Sequence, residues 1–167
     1  MLERVNQEMG KVLRGFGLVA GCLTFGVMLL VVANIIARFV FNAPIGGTLE
    51  VTESALTILI FLSLAMTQHE GGHIKVTLIM RRTSEKSIRI GNIVAAFLGS
   101  LFFAWATYAA WGLFVKSLMM NEQEWGSIIF PVYPVKFVIF LGLLLLSLQF
   151  LLDAFMFLRR PGQGDQR

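Results

Sequence analysis

The chain has 167 residues, of which 56% are hydrophobic and 14% are charged, and its mean hydropathy is +0.75. Soluble domains carry about 25% charged residues, so this composition excludes a soluble globular domain and indicates an integral membrane protein. The net charge of +4 does not indicate nucleic-acid binding, because the basic residues stand beside apolar segments and are not interleaved with aromatic residues. A single cysteine, Cys22, excludes an intrachain disulfide and a cysteine metal cluster.

Four apolar segments indicate helices that cross a bilayer, which takes roughly 20 residues each. The second is charge-free only from Ser54 to Gln68, about 15 residues, so it must take its polar ends into the headgroup region to span. The four segments predict an all-α integral membrane protein with four transmembrane helices and short interfacial segments, forming a single domain over residues 1–167. The first segment is too long for the apolar region of a signal peptide, so we expect it to be retained. The predicted spans are approximately 15–37, 48–70, 88–116 and 135–158.

Basic residues are distributed unequally among the polar segments. Eleven of the 14 Lys and Arg residues lie in the N-terminal tail, the 69–89 connection and the C-terminal tail. The other three are Arg38, Lys116 and Lys136. The positive-inside rule therefore predicts that both termini are cytoplasmic and that the connections 38–48 and 116–136 face outward.

Two acids open the second span after a short turn. Glycine and proline in 39–47 predict a tight turn, and Thr48 is expected to cap the helix that follows. Glu50 lies in the first helical turn, where it would meet the positive end of the helix dipole. Glu53 and Thr57 continue the face deeper into the span. An acid at the bilayer centre costs about 2.5–3.5 kcal/mol, so this pair calls for a compensating interaction.

Arg38 is the candidate partner for these acids, because the predicted topology places it at the same membrane boundary. Asn34 precedes it by four residues and lies on the same side of the first helix. An Arg–carboxylate bridge within the chain, or pairing with another subunit, would offset the cost of the charges. The alternative is that each side chain reaches water separately. Asn34, Arg38, Glu50, Glu53 and Thr57 are thus predicted polar anchors at a subunit interface.

His69 and His73 are spaced as two ligands on one helical face would be. The intervening Gly71-Gly72 argues against a continuous helix, and the sequence offers no third ligand nearby. We therefore expect both histidines to form hydrogen bonds at an interface, and we expect no metal, haem or other cofactor. The chain also lacks a nucleophile elbow and a phosphate-binding loop, so no catalytic site is predicted.

Small residues four apart predict two faces for close helix contact, Gly17 with Gly21 and Ala95 with Gly99. Residues 116–136 combine acids, aromatic residues and prolines, which is typical of a segment at the membrane interface. Within it, Glu122 and Glu124 are candidates for weak docking of a soluble partner. Asp153, near the end of the last span, is expected to reach the headgroup region beside Arg159-Arg160.

Several short motifs follow one another in a distinctive order: Asn34-Ile-Ile-Ala-Arg38-Phe39-Val-Phe, Pro44-Ile-Gly46, Glu50, Glu53, Glu70-Gly-Gly-His73-Ile74-Lys-Val76, Pro131-Val-Tyr-Pro134, Gly142 and Gln149. In this order they resemble the small membrane subunit (Q, or DctQ-type) of tripartite ATP-independent periplasmic (TRAP) transporters. The resemblance covers nearly the whole chain. Two positions depart from the family pattern: Thr77 stands where Asp is frequent, and Gly47-Thr48-Leu49 stands where Trp often precedes the acids.

The resemblance implies a scaffold subunit in the bacterial inner membrane that takes part in uptake of an organic carboxylate, such as a C4-dicarboxylate or a sialic acid. Its implied partners are a large membrane (M) subunit, which moves the solute with a sodium gradient, and a periplasmic substrate-binding (P) protein, which binds transiently. Membrane lipid surrounds both membrane subunits. Four spans without an internal repeat agree with this role, because transporters usually build their own sites from broken helices in repeats.

Two other functions remain open from the residues alone. A small proton-coupled exporter would use Glu50 or Glu53 as the proton carrier, which requires an oligomer and a deep carboxylate. The membrane anchor of a respiratory enzyme would hold haem with His69 and His73. The shallow position of the acids argues against the first function, and Gly71-Gly72 argues against the second.

Overall fold

The computed structural model of the chain describes residues 2–70 and 85–159. It confirms the predicted fold class, because its four helices are all long and apolar enough to cross a membrane. Three of the four helices extend beyond the spans predicted for them, and the second agrees with its predicted span to within one residue. At 1.5 Å per residue the first helix is about 60 Å long. The elements are α1 (Leu2–Phe41), α2 (Thr48–His69), α3 (Glu85–Met119), β1 (Gln123–Trp125), β2 (Ile129–Pro131) and α4 (Tyr133–Arg159).

The helices are arranged as a row in the order α1, α2, α4, α3. Helix α2 packs against α1 and α4, α3 packs against α4, and α1 touches α4 only slightly. The α1–α2 turn and the β1–β2 hairpin lie together at one end of the row, here called the hairpin end; the other is the terminal end. Because α1 and α3 stand at the flanks, most of their apolar side chains are exposed. Such surfaces suit lipid or another membrane protein.

The core is small and lies toward the terminal end. Leu13 of α1, Ala65 of α2 and Leu146 of α4 are completely buried against one another. Phe103 of α3 stacks on Phe150 of α4 with ring centroids 5.4 Å apart. This contact brings α3, the remaining helix, against the core. Side chains of different helices therefore interlock in one layer, as they do in soluble proteins.

Glycine permits a close approach between α2 and α4 at Gly142. A Cβ atom there would overlap the backbone carbonyl oxygen of Phe61 in α2. Helices that lack a hydrophobic driving force in lipid associate through such close contacts. The α2–α4 crossing therefore depends on the absence of a side chain at one residue.

The small-residue faces predicted from the sequence contribute unequally to packing within the chain. A Cβ at Gly99 would lie 2.9 Å from the Phe150 ring, and one at Gly17 would lie 3.9 Å from Met66. In the part of the chain that the structure describes, nothing lies within 4 Å of such an atom at Gly21, and Ala95 is exposed. The four-residue spacing therefore located one contact residue on each of the two helices, Gly17 on α1 and Gly99 on α3.

Asparagine ends both helices that lead into the hairpin end. Asn42 and Asn121 adopt positive φ angles of 50° and 46°, which asparagine tolerates better than most residues and which stops the preceding helix. After α3, the backbone amide of Glu122 donates to the carbonyl of Ser117 at 3.0 Å, satisfying one of the last helical carbonyls.

The N-terminus of α2 is capped differently from the sequence prediction. Gly47, with φ of 81°, occupies the cap position, and no side chain of residues 2–70 and 85–159 caps the helix there. Thr48 is the first helical residue, and its hydroxyl donates to the carbonyl of Ile45 at 2.8 Å. The prediction that Thr48 caps α2 was therefore wrong. The left-handed backbone of Gly47 and the side chain of Ile128, 2.5 Å from a Cβ built there, both favour glycine at this position.

Residues 123–131 form a two-stranded antiparallel hairpin within the segment predicted to lie at the membrane interface. Glu124 pairs with Phe130 at its centre, and Gln123 pairs with Pro131. The hairpin folds back over the α1–α2 turn, where Ile128 contacts Gly47. The connection between α3 and α4 therefore also covers the start of α2.

Candidate functional site: polar groups at the two ends of the helix row

Glu50 fastens the hairpin to α2. Its side chain is only 3% exposed, and Oε1 accepts a hydrogen bond from the backbone amide of Ser127. A Cβ at Gly126 would collide with the same oxygen, so the hairpin backbone approaches the carboxylate directly. The second oxygen, Oε2, is buried and has no hydrogen-bond partner among the described residues. The carboxylate therefore holds two segments of this chain together.

The bridge that the sequence suggested between Arg38 and the acids is absent within the described part of the chain. Arg38 and Glu53 are both exposed, and neither forms an ion pair there. Asn34 instead accepts a hydrogen bond from the backbone amide of Ile45 at 2.8 Å, which holds the α1–α2 turn. Thr57 donates to the backbone carbonyl of Glu53 at 2.9 Å. Of the five predicted anchors, only Arg38 and Glu53 leave their charged groups exposed.

The two acids proposed for docking have different surroundings. Glu122 accepts a hydrogen bond from the ammonium group of Lys136 at the start of α4. This interaction with Lys136 lowers the pKa of the Glu122 carboxyl below its ordinary value. Glu124, on the hairpin, is exposed. Lys136 therefore links the base of the hairpin to α4, and Glu124 is the acid left open to a partner.

Lys136→Met should raise the pKa of Glu122 toward its ordinary value. A lowered carboxyl pKa means that the ion pair stabilises the folded chain above the unfolded pKa, about 4.3, and is lost as the pH falls through the folded value. The midpoint can be measured by NMR titration of the Glu122 carboxyl carbon in detergent. Lys11→Met, which removes the pair with Glu8 at the other end, is the control. An unchanged midpoint in Lys136→Met would show that Lys136 does not stabilise the carboxylate.

A polar cluster joins three helices at the terminal end. Asp153 of α4 accepts hydrogen bonds from the side-chain amides of Gln68 at 2.7 Å and of Gln149 at 3.0 Å. The Gln149 amide also lies 3.5 Å from Oδ1 of Asn6 on α1. Gln149 is 1% exposed. Asp153 therefore faces the interior of the helix row, and the expectation that it reaches the headgroups was wrong.

His69 lies next to this cluster and packs on α1. A Cβ atom at Gly10 would be 2.6 Å from its Nε2 atom, so glycine leaves the space for the imidazole ring. Its Nδ1 atom is buried without a partner among the described residues. His73 lies outside the described residues, so the predicted pairing of the two histidines is not tested. No group of three or more His, Cys, Asp or Glu side chains in residues 2–70 and 85–159 could hold a metal ion.

Asp153→Leu should destabilise the chain by about 1–3 kcal/mol, because the buried amides of Gln68 and Gln149 would lose their common acceptor. Asp153→Asn, which keeps one acceptor oxygen, should cost less. Thermal unfolding in detergent measures the effect. Glu8→Gln removes an acid with only an exposed partner and should be nearly neutral. Equal melting temperatures for Asp153→Leu and wild type would contradict a stabilising role for the cluster.

A comparison with protein families gives a match that runs from the middle of α1 to the end of α4. The family model described as "Tripartite ATP-independent periplasmic transporters, DctQ component" matches residues 27–160. A search of the curated proteins gave no match. The matched region includes the α1–α2 turn, the hairpin with its Glu50 contact, and all polar side chains of the terminal cluster except Asn6. The chain therefore belongs to the DctQ family, the small membrane component of TRAP transporters.

Proposed function

We propose that the chain is a non-catalytic scaffold subunit that supports a large M subunit during import of an organic carboxylate. A periplasmic P protein delivers the solute, and a sodium gradient drives the import. Family membership supports the transporter role. The observation that carries the scaffold role is that the acids Glu50 and Asp153 are engaged in contacts within the chain.

The same observation argues against the chain acting as a proton-coupled exporter. A proton carrier must alternate between two aqueous sides, whereas Glu50 is buried against the backbone of the hairpin. Glu53 lies one turn further along α2, and its side chain is exposed on the surface of the chain. The contacts that engage Glu50 and Asp153 lie at opposite ends of the row, the hairpin end and the terminal end. Such an arrangement suits a rigid support.

The proposal is tested by coexpression of the tagged chain with the M subunit from the same source. We expect the M subunit to copurify in mild detergent. Arg38→Ala should weaken this association while insertion into the membrane stays normal, because Arg38 is exposed and has no ion-pair partner among the described residues. Failure of the wild-type chain to retain the M subunit would overturn the scaffold proposal.

We propose that the hairpin end faces the periplasm and that both termini are cytoplasmic in the inner membrane. The distribution of basic residues supports this orientation. It would place Glu124 and the hairpin where a P protein could touch them, with a weak contribution to docking. Neutralising Glu122 and Glu124 together should slightly reduce the salt dependence of transport. Periplasmic activity of a reporter fused to the C-terminus would contradict the orientation.

A further inference from the structure

One face of α2 is covered by neither α1 nor α4. Leu49, Leu56 and Ile60 are 65%, 47% and 52% exposed on this face, although α2 is the second helix of a row of four. Glu53 and Thr67 are exposed beside them, and Ser63 is half-buried. We call this stripe the α2 seam; it consists of Leu49, Glu53, Leu56, Ile60, Ser63 and Thr67.

The spacing of the α2 seam is that of a helix–helix contact. Its six residues are separated alternately by four and three positions, a period of 3.5 that keeps a narrow stripe facing one partner helix. The flanking helices differ, because they expose neighbouring residues such as Leu18 with Val19 and Leu101 with Phe102. Neighbouring residues on a helix point about 100° apart, so α1 and α3 present broad apolar faces that lipid can cover.

The chemistry of the α2 seam also differs from a lipid-facing surface. Among the acids on the described spans, Glu8, Glu50 and Asp153 have partners within the chain. The Glu53 carboxylate has none in that part of the chain, and a bare carboxylate against hydrocarbon is costly. The hydroxyls of Ser63 and Thr67 donate to the carbonyls of Ile60 and Ser63, so their oxygens remain available as acceptors.

We propose that the α2 seam binds one transmembrane helix of the M subunit, and that this helix carries a Lys or Arg opposite Glu53. The proposal rests on the scaffold function proposed above and adds the binding face and the charge of the partner. Leu56 and Ile60 pack between side chains of the incoming helix. The basic residue neutralises Glu53 near the hairpin end and thereby sets the register of the two helices.

The charge of the partner is tested by copurification of the coexpressed M subunit with Glu53 variants. Glu53→Gln should reduce the amount retained by at least about tenfold, and Glu53→Lys should abolish retention, because a like charge would face the basic residue. Glu124→Lys makes the same charge change on the hairpin and should retain the M subunit normally. Each variant chain alone should keep wild-type helix content and elution volume. Normal retention by Glu53→Lys would overturn the proposal.

The binding face is tested by photolabelling with a lipid-soluble diazirine, whose carbene inserts into a thiol S–H bond without requiring the thiolate, in a Cys22→Ser background. Ile60→Cys and Leu101→Cys place the thiol near mid-span on exposed sites of α2 and α3. When the M subunit is bound, labelling should fall at least about tenfold for Ile60→Cys and remain unchanged for Leu101→Cys. With the chain alone in nanodiscs, both should react at similar rates.

The two proposals fail in different ways. If the M subunit copurifies and labelling of Ile60→Cys stays unchanged, the scaffold function stands and the seam proposal is overturned, with lipid as the occupant of the seam. If the M subunit does not copurify with the wild-type chain, the proposed function itself fails. Protection of Leu101→Cys in place of Ile60→Cys would assign the interface to α3 and also overturn the seam.

Discussion

A Gly142→Ala variant is expected to be less stable than the wild-type chain by about 1–3 kcal/mol or more. The added methyl group would collide with the carbonyl oxygen of Phe61, and its nearest further neighbour, the carbonyl carbon, would be 2.8 Å away. Backbone atoms cannot rotate aside as a flexible side chain can, so α2 and α4 would have to separate. The loss should be seen as a lower midpoint of thermal unfolding in detergent.

Gly112→Ala is the matched control for this variant, because it adds the same methyl group to a helix of the row. No atom of the described residues lies within 4 Å of a Cβ atom at Gly112. Alanine is favoured over glycine in a helix by about 0.5–1 kcal/mol, so this variant should be neutral or slightly more stable. If the two alanine variants unfold at the same temperature, the close α2–α4 crossing is not a determinant of stability.

Glu50→Ala is expected to release the hairpin from α2 while leaving the four helices in place. The backbone amide of Ser127 would lose its acceptor, a loss of about 1–3 kcal/mol for a buried partner. Hydrogen exchange of the Ser127 amide should therefore accelerate about 5- to 150-fold, since 1.4 kcal/mol corresponds to a factor of ten. Helix content should not change.

Two further variants separate the hydrogen bond from the charge in this contact. Glu50→Gln retains an acceptor oxygen and should preserve most of the protection of Ser127. Glu124→Ala changes an exposed acid on the hairpin itself and should have no effect. Wild-type exchange at Ser127 in Glu50→Ala would show that the carboxylate does not hold the hairpin.

The fold class was predictable from the sequence because the bilayer leaves few choices. Helices of about 20 apolar residues satisfy their own backbone groups, so four apolar segments predict four spanning helices. The ends of the helices were less predictable. Leu2–Phe41 includes a polar start that hydropathy does not assign to a span, and Gly47 occupies the cap position predicted for Thr48.

The polar contacts were predictable only in part, because they join segments far apart in the chain. Glu50 and Ser127 are 77 residues apart, and the hairpin that brings them together has only three residues in each strand. The sequence singled out Glu50 but gave Arg38, its neighbour across a short turn, as the partner. A missed signal was the four-residue spacing of Gln149 and Asp153, which places an amide and an acid on one face of α4.

Transport by reconstituted liposomes tests the scaffold role most directly. With purified M subunit, P protein and a sodium gradient, vesicles that contain this chain should accumulate the carboxylate that the P protein binds. Vesicles that contain the chain alone should accumulate none under the same gradient. Uptake by the chain alone would contradict the account, because it would require a solute pathway within a helix row whose buried acids are fastened to its own backbone and amides.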